Sequence, residues 1–353
     1  MVEIRRKFAG IPLIPEFHIF SSKIGEVKLL RSTAPPSECQ HSEAINFISP
    51  DGKEMPLSER EREYSPSSCI GGNYMPFIEA YQSKSHASHQ HATESGAKWK
   101  TFRYGTSETQ RLELCMPGQN AARPPALLVF IHGGYWQELS AQDSLFAASC
   151  CIARGHAFCA LDYTLAPTAS LGEIVAECRL ALRWLTDSAE TLGFDASRIV
   201  VAGSSAGAHL AAMVGLGVVP MPGQDVPPLR GLVLVSGIYD LHPLIGTSID
   251  TALSLDSESA MAVSPAFLAL AGMAPSLVCW GEIETQEFKR QSRDFGQRLV
   301  AAGTPCESIE IPGRNHFDVI LDLSNPASEL GRRTLAMLES QAVFRAPEPA
   351  RAP

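Results

Sequence analysis

"RIVVAGSSAGAHLAAMV", residues 198–214, runs from an apolar segment through Gly203-Ser204-Ser205-Ala206-Gly207 into a helix-forming stretch that carries Ala208, Ala211, Ala212 and Met213. The order strand, turn, helix around G-x-S-x-G fits a nucleophile held at the tip of a sharp turn. Glycines two before and two after Ser205 remove the Cβ atoms that would clash in such a turn, and Ser205 then projects at the carboxyl ends of the strands. The same glycines could serve only to pack a helix closely on a sheet, so the surrounding chain has to decide. Ser204 falls outside the glycine frame. His209, one helical turn beyond Ser205, reads as a core or capping histidine.

Upstream, the apolar run 126–131 ends in "IHGGYWQ", residues 131–137. Attack on a carbonyl builds negative charge on its oxygen, and backbone N–H donors aimed at one point stabilise that charge. One donor comes from the residue after the nucleophile, here Ala206, and the others from the loop after an earlier strand. Gly134 and Tyr135 are the expected donors of that loop, with Gly133 as its bend and His132 holding the loop through hydrogen bonds. Tyr135 and Trp136 are expected to line the substrate site, although simple core packing would equally account for Trp136.

Downstream, the nucleophile needs a histidine base and a carboxylate behind it, in chain order Ser, acid, His. Three of the ten histidines, His209, His242 and His316, follow Ser205. His316 sits in "IPGRNHFDVI", a loop with Gly and Asn after a strand, whereas His242 has no matching carboxylate further back. The acid should lie just past "PSLVCW", in "GEIETQEF", where both Glu282 and Glu284 qualify. Glu284, nearer the next helix, is the choice; a solvated surface charge is the competing reading for either glutamate. His86, His89 and His91 lie in a polar Ser- and Gln-rich stretch without a convergent carboxylate, so a solvated loop is favoured there over a metal site. The reaction needs no cofactor and no metal.

The chain of 353 residues is 45% apolar and 19% charged, enough to bury a large core. Short β-rich runs at 101–104, 111–115, 126–131, 157–161, 198–202, 231–235, 276–280 and 306–311 alternate with helical patterns at 172–188, 288–300 and 324–340. That alternation signals an α/β fold with a mostly parallel sheet covered on both faces. Tyr74, Phe77, Ile78 and Tyr81 share one helical face. Residues 1–62, with "STAPPSECQHSE" and "LSERERE", are expected to be a poorly ordered, dispensable extension; 63–343 form the catalytic domain, and 344–353, "FRAPEPARAP", a flexible tail.

A net charge of −9 and the absence of a basic block argue against nucleic acid or an anionic membrane, leaving a small molecule as the partner. No apolar segment approaches the roughly 18 residues that span a bilayer. Nine scattered cysteines without a C-x-x-C pair fit a reducing, cytoplasmic setting. A homodimer is compatible with the sequence and not decided by it.

Residues 63–343 resemble the α/β-hydrolases of the esterase/lipase group, and more narrowly the kynurenine formamidase (arylformamidase) family. The narrower resemblance rests on "HGGYW", which fits that family's HGGxW where most lipase relatives read HGGG. It is supported by "LDYTLAP", "GSSAGAHLA", "WGEIETQEFKRQSRDF" and "NHFDVI". At Glu284 the chain departs from the family's usual aspartate. The resemblance implies an α/β-hydrolase fold and hydrolysis of N-formyl-L-kynurenine to formate and L-kynurenine in tryptophan degradation. A carboxylesterase acting on small acyl or aryl esters would share the same three residues and is the alternative.

Overall fold

Eight strands form one mixed sheet: β1 Lys98–Arg103, β2 Arg111–Met116, β3 Leu127–Ile131, β4 Ala157–Leu161, β5 Ile199–Ser204, β6 Gly231–Val235, β7 Ser276–Ile283 and β8 Cys306–Asn315. The computed structural model describes residues 47–48, 54–118, 123–216 and 228–340, all within one unit spanning Ala44–Pro353. The spatial order is β8-β7-β6-β5-β3-β4-β2-β1. β3 to β8 run parallel, and β2 is antiparallel to both of its neighbours. All eight expected strands are present, 157–161 and 231–235 with the expected ends and the other six with shifted ends.

β3 to β6 are buried along their whole length and β7 over its first six residues, which is why they read as apolar runs, whereas the edge strand β8 is mostly exposed. Along β3, Leu127, Val129 and Ile131 face one core layer while Leu128 and Phe130 face the other. The described helices are α1 Leu57–Glu63, α2 Met75–Glu94, α3 Ala148–Ala153, α4 Leu171–Leu192, α5 Ala206–Gly215, α6 Asp250–Leu253, α7 Ser257–Ala262, α8 Gln286–Ala301 and α9 Glu329–Glu339. α4, α5 and α8 cover the first layer through residues such as Ile174, Leu210 and Phe295. α2, α3 and α9 cover the second through Tyr81, Cys151 and Leu335. Each fully buried side chain of this kind stabilises the fold by about 1.5–3 kcal/mol.

Local chemistry sets the helix ends. α4 starts at a capping box in which Ser170 and Glu173 satisfy each other's backbone amides, and it stops at Gly193 in the left-handed region, φ 88°. The helix expected over 324–340 is instead a 3₁₀ turn, Val319–Ser324, followed by α9, because Pro326 interrupts it and Ser328 caps a new start.

The domain boundary expected at 62–63 falls inside α1. Arg60 there is buried, and its Nη1 donates to the carbonyls of Pro243 (3.0 Å) and Ile245 (2.5 Å). The end of the expected extension is therefore packed on the domain. Its residues 1–46 and 49–53, and the tail 344–353, lie outside the described residues. No described helix is long and apolar enough to cross a membrane.

Candidate active site

Ser205 stands between β5 and α5 with φ 57° and ψ −122°, a conformation that non-glycine residues avoid. Holding it there costs on the order of 1–3 kcal/mol, which the surrounding packing must supply. A Cβ on Gly203 would lie 2.1 Å from the Gly207 carbonyl oxygen, and one on Gly207 would lie 2.1 Å from that of Ile131. Both glycines are thus steric requirements of the turn. The Ser205 amide donates to Val235 O at 2.8 Å, tying the turn to β6. Ser204 is the last residue of β5, in register with Val235.

His316 directly follows β8, and its Nδ1 lies 3.0 Å from Glu284 Oε2. The carboxylate can only accept, so Nδ1 carries a proton, and in the neutral ring the lone pair is on Nε2. The other oxygen of Glu284 accepts from Ser236 Oγ (2.6 Å) and from the Gly281 amide (2.5 Å), so the buried carboxylate is fully engaged. The Phe288 ring packs edge-on to the imidazole at 4.4 Å between centroids. Asn315 Oδ1 accepts from the Phe317 amide and Asp318 Oδ1 from the Asn315 amide, at 2.8 and 2.7 Å, folding the loop on either side of His316.

Of the two acid candidates, the structure brings Glu284 to His316. Glu282 is exposed, and its Oε2 accepts from the Gly313 amide at 2.8 Å. His209 is fully buried; it donates from Nε2 to Val263 O at 2.6 Å, and burial pushes its pKa down to about 4. His242 does have a carboxylate, contrary to expectation: Asp240, two residues earlier, accepts from its Nδ1 at 2.9 Å and raises its pKa. That local pair is not among the residues lining the cavity that Ser205 and His316 share.

The loop after β3 differs in detail from expectation. Its left-handed residues are Gly134 (φ 86°), Tyr135 (φ 48°) and Trp136 (φ 60°), so the bend lies there and not at Gly133. Gly133 is needed for close approach, since a Cβ on it would sit 2.7 Å from Ser204 O and 3.3 Å from Ser205 Cβ. The Gln137 and Glu138 amides close the turn on Gly134 O. Among the described residues, the amides of Gly134, Tyr135 and Ala206 donate to no protein acceptor. His132 braces the loop: its Nδ1 donates to Gly133 O at 3.0 Å, its ring stacks on Tyr163 at 4.3 Å, and burial lowers its pKa. The Tyr163 hydroxyl donates to His132 O and Gly133 O, which gives the tyrosine of "LDYTLAP" a purpose.

Ser205, His316, Gly133, Gly134 and Tyr135 line one cavity of about 430 Å³. Trp136 does not line it. Its indole is fully buried and meets the His209 ring edge-on at 5.2 Å, so the expected substrate contact is corrected to a core role. Tyr64, Tyr74, Ile78 and Tyr81 supply other parts of the wall, with Phe317 beside His316. Tyr74 and Phe77 stack on Phe317, and the Tyr81 hydroxyl donates to Phe317 O at 2.5 Å. The aromatic face read from the sequence thus braces the loop that carries His316. His86, His89 and His91 belong to α2 and not to a loop, and His89 stacks on Trp99. Among the described residues no group of side chains is arranged to hold a metal. The sequence reading missed Tyr64, Ser236 and Gly281; of these only Gly281 carried a local signal, its place in the stretch "GEIETQEF" that holds Glu284.

Residues 128–319 match the model of a family described by its α/β-hydrolase fold. The kynurenine formamidase of Danio rerio is 29% identical over 300 residues, covering 82% of this chain and 98% of that protein. The kynurenine formamidase of Drosophila melanogaster is 27% identical, covering 65% and 78%. A solved structure of a candidate thioesterase from Silicibacter sp. TM1040 is 26% identical with a TM-score of 0.67, covering 80% of this chain and 99% of that one.

Proposed function

The chain belongs to the α/β-hydrolase family, and from that premise we propose that it is a serine hydrolase cleaving the formamide of N-formyl-L-kynurenine to formate and L-kynurenine. The observation that carries the reading is the Glu284–His316 hydrogen bond, at 3.0 Å, on a histidine that shares its cavity with the strained Ser205. Similarity to kynurenine formamidases over most of the chain supports the choice of substrate.

In the proposed reaction His316 Nε2 takes the Ser205 hydroxyl proton as Oγ attacks the formyl carbon. The Gly134, Tyr135 and Ala206 amides receive the oxyanion; a single donor of this kind is worth roughly 10²–10³ in kcat. Glu284 holds the imidazole in the required tautomer and balances the imidazolium charge. His316 then protonates the departing arylamine, and water, activated by the same nitrogen, releases formate from the formyl-serine. Tyr135 contacts the substrate, whereas Trp136 supports the loop from the core. The cavity volume of about 430 Å³ is of the size that holds such a substrate.

Similarity to an esterase of Mycobacterium tuberculosis, 25% identical over 238 residues, supports a second reading, hydrolysis of small acyl or aryl esters by the same residues. Turnover of N-formyl-L-kynurenine and of 4-nitrophenyl acetate separates the two. The first reading expects a higher kcat/KM for the formamide; efficient ester cleavage with no kynurenine released would overturn it.

A further inference from the structure

The residues Arg60–Tyr64, at the end of α1, reach three parts of the site at once. The Tyr135 hydroxyl donates to the Tyr64 carbonyl. The Thr285 hydroxyl, next to Glu284, donates to Glu63 O at 2.5 Å. The Tyr64 hydroxyl donates to Glu287 Oε2 at 2.8 Å and accepts from Gln291 Nε2 at 2.7 Å, both on α8, which follows the acid. Glu61 accepts from the Ser248 amide and hydroxyl at 2.6 and 2.7 Å, where Ser248 lines the same cavity. Tyr64 itself is fully buried.

Tyr135 needs such a hold. A tyrosine at φ 48°, between a glycine at 86° and a tryptophan at 60°, occupies a backbone region that side chains with a Cβ disfavour. Left to itself the turn would relax and carry its amides with it. The phenol ties Tyr135 to a segment that is registered against the loop bearing Glu284.

We propose that Arg60–Tyr64 is a positioning clasp for catalysis: the Tyr64 carbonyl, through the Tyr135 phenol, fixes the backbone amides of the 134–136 turn relative to the loop that carries Glu284. This rests on the serine-hydrolase reading above. Tyr135 thereby has two roles, its amide as an oxyanion donor and its hydroxyl as the device that aims that amide. Tyr64 and Glu63 act only through others and are positioning residues.

Tyr135→Phe in the full chain removes the hydroxyl alone. The expected result is a roughly 10- to 100-fold fall in kcat, bounded by the loss of a whole oxyanion donor, with KM within about twofold. The Ki of phenylboronic acid, which forms a tetrahedral adduct with an attacking serine, should rise by the same factor. These are measured with N-formyl-L-kynurenine, or with 4-nitrophenyl acetate if the protein turns over only the ester. A folded Tyr135→Phe with kcat and boronate Ki within twofold of the parent overturns the clasp, as does a change confined to KM or melting temperature. Should that variant not fold, Thr285→Val removes the hydroxyl bonded to Glu63 O and is expected to lower kcat about 3- to 10-fold, a partial misplacement on the same scale; an unchanged kcat there overturns the proposal. Failure of the underlying reading looks different: Ser205→Ala would retain turnover while the parent remains sensitive to Tyr135→Phe.

Discussion

Ser205 and Glu284 hold positions that their neighbours could not take over. Ser204, one residue before the proposed nucleophile, is locked in register with Val235. Ser205→Ala is therefore expected to lower turnover by roughly 10⁶-fold, since members of such a triad act as a unit, while Ser204→Ala stays within about tenfold. Steady-state rates on one substrate check both, and a crippled Ser204→Ala beside an active Ser205→Ala would reverse the assignment. For the acid, Glu284→Gln replaces a carboxylate that accepts from His316, Ser236 and Gly281. A loss on the order of 10⁴ in kcat is expected. Glu282→Gln, exposed and bonded to the Gly313 amide, should change kcat less than about tenfold. Glu284→Asp asks whether a carboxylate one methylene shorter still reaches His316 Nδ1; partial activity means that the loop shifts to close the gap. Glu282 and Glu284 stay open in the sequence because, two residues apart, they would share one face if the strand continued; β7 instead ends at Ile283, and the turn there leaves Glu282 exposed and Glu284 buried.

At the scale of elements, the turn between β5 and α5 and the helix that follows carry two further expectations. Gly207→Ala puts a Cβ against a backbone carbonyl that no rotamer change can move, so a loss of about 3 kcal/mol in unfolding free energy is expected by denaturant titration. An unaltered midpoint would contradict that packing. On α5, burial lowers the His209 pKa from 6.5 to about 4. The unfolded chain binds this proton first, so the stability His209 contributes is present above pH 6.5 and is lost as pH falls toward 4, by up to about 3 kcal/mol. Unfolding measured at pH 7 and pH 4.5 should differ less in His209→Gln than in the parent; an equal pH dependence would contradict this.

Which elements were legible follows from the same physics. Strands buried on both faces betray themselves as apolar runs, and glycines forced by a clash stand out at fixed spacing. α1, "LSERERE", holds itself to the domain with polar groups, Arg60 on carbonyls and Glu61 on Ser248, so a hydrophobic pattern could not reveal it. Trp136 illustrates the reverse case: an aromatic beside the site motif reads as a ligand contact, yet the left-handed turn points it into the core against His209.

For the whole molecule, the consequence is that the packed domain does not begin where the apolar periodicity begins. Although the sequence pattern marks residues 1–60 as dispensable, their deletion removes Arg60 and most of α1 and is expected to lower melting temperature and turnover together; unchanged values of both would contradict the packing of that segment. Ser205, His316, Gly134 and Tyr135 line one cavity, with Glu284 bonded to the far side of His316. The most direct test is release of L-kynurenine from N-formyl-L-kynurenine by the parent chain and by Ser205→Ala, with circular dichroism confirming that both are folded. Rapid release by the parent and a loss of roughly 10⁶-fold in the variant are expected; equal release by both, or none by the parent, would contradict the proposed role of Ser205.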